Sequence, residues 1–536
     1  MKSKECINSC KESAMGNIVK NVKSCRAISL FGITALLLCS NALAQTFSSL
    51  EVSQLVSEYR ESREALIIND FVELLSLPNI TVNQDDMDVN VEHITALLEA
   101  RGFTTQRLQS GGSPYVYAEM MQTGATETLL LYAHYDGQPV QVENWVYPPF
   151  TPTLLDAPIQ AGGQPIEIDE VSGSFDPEWR LYARSAGDDK MPIIALLHTL
   201  DALAAYDIDL SVNLKILFDG EEEAGSPSLG RIIDENPGLL DADLLLFCDG
   251  PMHQSRNAQL VFGARGSKTL DLTTYGANRP LHSGHYGNWA PNPIMQLSYL
   301  LTSMRDESGR ILIDGYYADV APINDLERSA IAAMPDMTEA LKNELAINTP
   351  EGGGAKLEEL INLPALNVRG FSAGGVGALG RNIILSTATA SLNIRLVSEQ
   401  QPARVEELIE AHIAEQGFHI VYADPSDEIL RNNEKVIKLD WRGVGSPGMK
   451  TPLDDAMSQR LVQLMQSVTP ELIITPSMGG SLPLDAFDSR MDTPIILLPL
   501  ANHDNNQHAE NENIRLQNMW DAMSVFGVIL ANFGLR

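Results

Sequence analysis

Thr128-Leu129-Leu130-Leu131-Tyr132-Ala133-His134-Tyr135-Asp136-Gly137 runs an unbroken apolar segment straight into an imidazole, a carboxylate and a glycine. A short apolar run closed by a turn residue has the pattern of a strand buried on both faces, as in a largely parallel sheet. The same grammar recurs at Asn213–Phe218 and Leu244–Phe247. Acids follow each: Glu221-Glu222-Glu223-Ala224-Gly225-Ser226 after the first, Cys248-Asp249-Gly250 after the second. Lys190–Ala205 and Asp454–Ser467 instead space their apolar residues three and four apart, which is helical. Strands alternating with helices, with reactive groups at the strands' carboxyl ends, describe an open α/β sheet and its site.

A second unit interrupts this pattern. From Ser267 the strands become longer and alternate, as in Thr269–Tyr275 and Ser386–Val397, with helices expected at Asn292–Met304 and Pro402–Glu415. That is the composition of an α+β domain. Ala333–Gly354 carries few strand signals and ends in Gly352-Gly353-Gly354, and near Lys450 the first pattern returns. The expected division is a catalytic domain in two parts, 45–265 and 449–536, around an inserted α+β domain at 266–448.

Two further segments complete a chemical inventory: Ala186-Gly187-Asp188-Asp189-Lys190, opening a helix, and His508-Ala509-Glu510-Asn511-Glu512. A pair of divalent ions needs terminal histidines, terminal carboxylates and one carboxylate to bridge, and a hydrolytic pair needs a free carboxylate to move a proton. An isolated H-x-D or a run of three glutamates describes a surface loop equally well. Their repeated placement after buried strands sets them apart.

In order and spelling these segments resemble the M20 family of metallopeptidases, within it the carnosinase-like dipeptidases, from about Tyr59 to the C-terminus. The resemblance implies a mostly parallel sheet flanked by helices, with an inserted lid that also carries a dimer contact. It makes His134, Asp188, Glu223, Asp249 and His508 the metal ligands, with Asp188 bridging. Asp136 becomes the carboxylate supporting His134, and Glu222 the general base. Asp189 is expected to cap its helix, and Glu221 and His503 have no role. On the lid, His282 in Leu281-His282-Ser283-Gly284 matches a histidine that completes the partner protomer's site in a homodimer. Arg395 matches an arginine gripping the substrate's carboxylate, and Ser481, after Gly480, a loop residue touching substrate. Glycines usual in the family are replaced at Ala133, Ala183, Ser185 and Met191, which spares every ligand but narrows the loops beside them.

The implied cofactors are two divalent ions, zinc by the mixed His/carboxylate set, with manganese or cobalt as alternatives. The implied activity is hydrolysis of dipeptides or short peptides. Rival readings are another amide hydrolase of the same fold (aminoacylase, carboxypeptidase or desuccinylase) and a non-catalytic peptide-binding protein. The retained Glu222 speaks against a mere binder, which needs no free base.

The N-terminus reads as an export signal. Lys20, Lys23 and Arg26 precede an apolar run from Ala27 to Cys39 and the small-residue site Asn41-Ala42-Leu43-Ala44. Met15 offers a second start that leaves a signal of conventional length. The run is shorter than the roughly 20 residues that span a bilayer, so a periplasmic or secreted protein is expected. Cys6, Cys10, Cys25 and Cys39 fall in this segment, leaving Cys248 without a disulfide partner. The first 44 residues carry six Lys/Arg and two Asp/Glu, so the −33 of the whole chain becomes −37 for the remainder. Such a charge argues against nucleic acid or anionic membrane as a partner.

Overall fold

The computed structural model describes residues 47–535. The expected signal segment at 1–44, with its four cysteines, lies outside the described residues. Among the described residues no helix is long and apolar enough to cross a membrane.

The central sheet has eight strands in the order Thr104–Leu108, Tyr115–Met120, Asn213–Asp219, Thr128–His134, Leu244–Phe247, Ile495–Leu497, Gln259–Val261, Ile473–Thr475. Thr128–His134 lies parallel to both neighbours, and Leu244–Phe247 is parallel to Ile495–Leu497. The Thr104–Leu108 edge is antiparallel, so the sheet is mixed.

Burial on both faces explains the continuous apolar runs. Leu129, Leu131 and Ala133 face a core shared with the helices Lys190–Ala205 and Leu516–Asn532. Leu130 and Tyr132 face a second core, where the Tyr132 ring stacks on Phe247 at 4.0 Å. The register sets His134 beside Asp219 and Tyr132 beside Phe247. Asp249, two residues past Phe247, therefore emerges at the same end as His134.

The inserted region forms its own sheet of five strands: Ala365–Ser372, Thr387–Leu396, Gly266–Tyr275, Val436–Ser446 and His419–Val421. All pairings are antiparallel except the last. Gly266–Tyr275 alternates buried and half-buried residues along its length, the mark of a sheet with one face covered. Helices Pro293–Met304 and Pro402–Glu415 contribute Leu297, Leu300 and Ile409 to the core beneath it.

Two strands here carry little sequence signal, for visible reasons. Ala365–Ser372 is an edge strand with exposed residues and a register shift between Val368 and Gly370. Val436–Ser446 loses its alternation in an exposed second half containing Gly443 and Gly445. The chain leaves the lid at Met449–Lys450, which pairs with Gly263–Ala264 just before the lid's first strand.

Candidate metal centre

Asp188 stands at the middle of the site. Its Oδ1 is 2.9 Å from His134 Nε2, and its Oδ2 is 3.2 Å from His508 Nε2, which is also 3.2 Å from Glu223 Oε2. Two groups of three result: His134, Asp188 and Asp249, and Asp188, Glu223 and His508, each with its donor atoms within 4.8 Å of one another. Asp188 belongs to both. The five residues whose types and spacing suggested ligands are thus brought together from five separate segments of the chain.

The donor set has the charge balance of a cation site. Burial opposes a charge on His134, yet its hydrogen bonds to Asp136 and Asp188 hold its pKa well above the usual value. Contacts with Asp188 and Glu223 push His508 up to about 10. Burial, then the Asp188 charge, pushes Asp249 up to about 7. Imidazoles and a carboxyl all pushed upward are what a crowd of acids produces. Asp188 Oδ2 is also buried and makes no hydrogen bond, although His508 lies beside it. An unused lone pair between two triads of N and O donors fits a pair of divalent ions.

The surrounding shell fixes these groups through the backbone. Asp136 Oδ1 accepts from the Glu222 N–H and Oδ2 from the Glu223 N–H, both at 3.1 Å, and Asp136 Oδ1 lies 3.3 Å from His134 Nδ1. One carboxylate therefore orients a histidine and the two glutamates together. Glu222 itself is half-buried. That burial, with the Asp249, Asp188 and Glu223 charges, raises its pKa well above the ordinary value against the pull of His134.

Asp189 corrects the sequence reading. It precedes Lys190–Ala205, but its side chain caps nothing; it reaches back to accept the His134 N–H at 3.2 Å. Glu221 also acquires a place. Its carboxylate accepts from the Ser113 N–H (3.0 Å), the Tyr115 hydroxyl (3.0 Å) and the Ser228 N–H (2.7 Å), anchoring the base loop from behind.

Sequence reasoning missed two further residues. Glu512, fully buried, accepts from Ser185, Gly187 and Asp188 N–H groups at 3.0 Å and from Arg184 at 2.6 Å. It holds the backbone of Asp188 from the loop that carries His508. Its place in His508-Ala509-Glu510-Asn511-Glu512 was the available signal. Asn79 donates to Tyr135 O at 2.6 Å and to Ser185 Oγ at 2.8 Å, tying the His134 and Asp188 loops together. Nothing local marks it. Ser185, one of the glycine replacements, has φ +63°. That left-handed conformation favours glycine, and here the Asn79 hydrogen bond helps hold the serine in it.

The lid-side residues divide. Arg395 Nη1 donates to Ser481 Oγ at 2.7 Å, so two expected substrate contacts are joined across lid and body. His282 is exposed at the start of Ser283–Tyr286, where its Nδ1 accepts from the Gly284 N–H and its ring lies 4.5 Å from that of His285. Neither contact involves a residue of the centre. His503 lies in the loop before His508, outside both triads.

Comparison with known proteins gives the family and the fold. A sequence model of peptidase family M20/M25/M40 matches residues 130–532. The chain is 24% identical over 485 residues to a Cys-Gly metallodipeptidase of Candida albicans, covering 86% of this chain and 93% of that protein. It is 25% identical over 453 residues to the Beta-Ala-His dipeptidase of Mus musculus, covering 81% and 84%. Among solved structures it superposes on an M20 family metallo-carboxypeptidase from Sulfolobus solfataricus with TM-score 0.70 and 25% identity, over 88% of this chain and 99% of that one. Human carnosine dipeptidase 1 shares the fold at TM-score 0.69 and 20% identity, over 90% and 99%.

Proposed function

The chain belongs to peptidase family M20/M25/M40, and from that premise we propose that it is an exported, dimeric di-metal dipeptidase. The observation that carries the reading is Asp188, shared by two ligand triads beside a half-buried carboxylate, Glu222, that belongs to neither. His134, Asp188 and Asp249 would hold one ion, and Asp188, Glu223 and His508 the other. Zinc suits this His/carboxylate set, and manganese or cobalt could replace it. When bound, the ions polarise the scissile carbonyl and lower the pKa of the attacking water.

The chain's own residues do the rest. Glu222 takes a proton from the water as it attacks and returns it to the leaving amine. A carboxyl whose pKa is raised by burial and neighbouring acids is suited to both steps. Asp136 keeps the Glu222 backbone and the His134 ring in fixed relation during the transfer. Arg395, steadied by Ser481, grips the substrate's terminal carboxylate. His282, reaching from the second subunit of a homodimer, donates to the carbonyl oxygen as it gains charge. Its exposed position, with side-chain contacts only to Gly284 and His285, suits a role in trans.

Support for a dipeptide substrate comes from the dipeptidases among the relatives. The likeness to a metallo-carboxypeptidase keeps carboxypeptidase action as the second reading. Export rests on the N-terminal pattern described above. Turnover of a panel of free and N-blocked dipeptides, with metal and with chelator, tests the whole. Chelator-sensitive cleavage of free dipeptides is expected. Cleavage of N-blocked peptides alone would favour the carboxypeptidase or aminoacylase reading, and no cleavage would end the proposal.

A further inference from the structure

Arg265 ends the body segment just before the lid strand Gly266–Tyr275, and Arg395 lies on the adjacent strand opposite Ser267. Residues two apart on an extended chain share a face, so the two guanidiniums come together at the junction of lid and body. Both are half-buried. Among the described residues no carboxylate lies within ion-pair distance of either. The charges acting on Arg265 confirm the setting: burial, then the Arg395 charge, lowers its pKa to about 10.

This is unusual for the chain, in which 70 Asp and Glu face 37 Lys and Arg. Four other well-covered arginines have an acid at close range: Arg101 with Asp201 at 2.6 Å, Arg180 with Asp504 at 2.6 Å, Arg184 with Glu512 at 2.6 Å and Arg460 with Glu127 at 2.7 Å. Two like charges held side by side without a counter-charge repel, and the fold must hold them there.

It does so through one loop. Arg265 Nε and Nη2 both donate to Gly479 O at 3.2 Å, and the Arg265 N–H donates to Met478 O at 3.3 Å. Arg395 donates to Ser481, two residues further on. A β-carbon at Gly479 would sit 3.2 Å from Arg265 Nη2, so the approach suits glycine. The same loop adjoins the metal centre, because a β-carbon at Gly250, next to Asp249, would meet Met478 Cε at 3.6 Å. Each guanidinium carries five N–H donors, and these bonds leave several on both groups free.

We propose that Arg265 is a second substrate-binding arginine, and that Arg265 and Arg395 together receive a doubly anionic C-terminal residue, so that peptides ending in Asp or Glu are preferred. The proposal rests on the reading that Arg395 takes the substrate's α-carboxylate. One carboxylate balances one guanidinium and leaves a half-buried positive charge beside it. A side-chain carboxylate on the same residue balances the second, with the planar two-point geometry arginine favours.

The test separates recognition from catalysis. Zinc-loaded, full-chain Glu222→Gln protein is titrated calorimetrically with Ala-Glu and Ala-Ala. Ala-Glu is expected to bind more tightly, on the order of 10–100-fold, as hydrogen bonds to charged groups allow. Adding Arg265→Met should weaken Ala-Glu by about that factor more than Ala-Ala, and Arg265→Lys should keep part of the preference. Equal affinity for the two peptides, absence of binding, or an equal loss of both on Arg265→Met would overturn the proposal, the last meaning that Arg265 only braces the Gly479 loop. The first comparison needs no change at Arg265, so a variant that fails to fold cannot mask the answer. If the binding preference is present but Glu222-intact protein cleaves no peptide, the peptidase reading fails and the arginine pair stands.

Discussion

The body and lid sides of the candidate site are held in different ways. On the body, Asp188, Glu222, Glu223 and His134 each have a backbone N–H bonded to a buried carboxylate of Glu512, Asp136 or Asp189. The candidate metal-binding half is therefore held by the protein's own hydrogen bonds. On the lid, His282 is exposed with only a local bond, and Arg395 rests on one serine hydroxyl. That half has fewer side-chain hydrogen bonds to the body. Buried hydrogen bonds are concentrated where the charges are crowded.

Breaking the body side should have the largest effect. Asp188→Ala removes the ligand common to both triads, so bound metal should fall below two ions per chain by elemental analysis, and turnover to background. Asp189→Ala should retain both ions, since its carboxylate only holds the His134 backbone. Two ions in Asp188→Ala would show the wrong aspartate was chosen as the bridge. Glu222→Gln should keep both ions and lose ~10²–10⁴-fold in turnover, the usual contribution of a general base. Near-normal rates in metal-replete protein would move that role to a neighbouring glutamate.

The lid side should yield a smaller loss with a distinctive signature. His282→Ala should cost on the order of 10²–10³-fold with metal content unaltered. Mixing His282→Ala with Glu222→Gln chains should restore activity, because a mixed dimer has one site with both defects and one with neither. Verified mixed dimers without recovery, or an active monomer in sedimentation, would remove the trans assignment. The smallest effect is expected behind the ligands. Glu512→Gln keeps its shape but gives up charge, and supporting groups of this kind typically contribute ~10–100-fold to metal affinity or activity. Unchanged zinc affinity and rate would mean that the Asp188 loop holds its position without Glu512.

Much of this was legible before the fold was known. Helices Lys190–Ala205 and Pro402–Glu415 and the strand Leu244–Phe247 appear at the expected bounds, because apolar period is a local property. The five candidate ligand positions, which the fold brings together, were marked by their placement at strand ends and their likeness to a family. Asp189 was misread because an acid opening a helix normally caps it. Glu221 was passed over because three adjacent glutamates look alike on paper. Arg265 drew no attention, since a lone arginine before a strand has no pattern.

The sequence by itself determined the kinds of elements, their order and the residue types at their ends, all of which depend on neighbours a few positions away. The tertiary structure alone decided what the Asp189 and Glu221 carboxylates hold, and which distant groups support Asp188 and Arg265. Those choices depend on contacts between distant parts of the chain: Asp188 meets Glu512 across a separation of 324 residues, and Arg265 meets Gly479 across 214. Sheet register and loop packing set such meetings, and no local pattern records them.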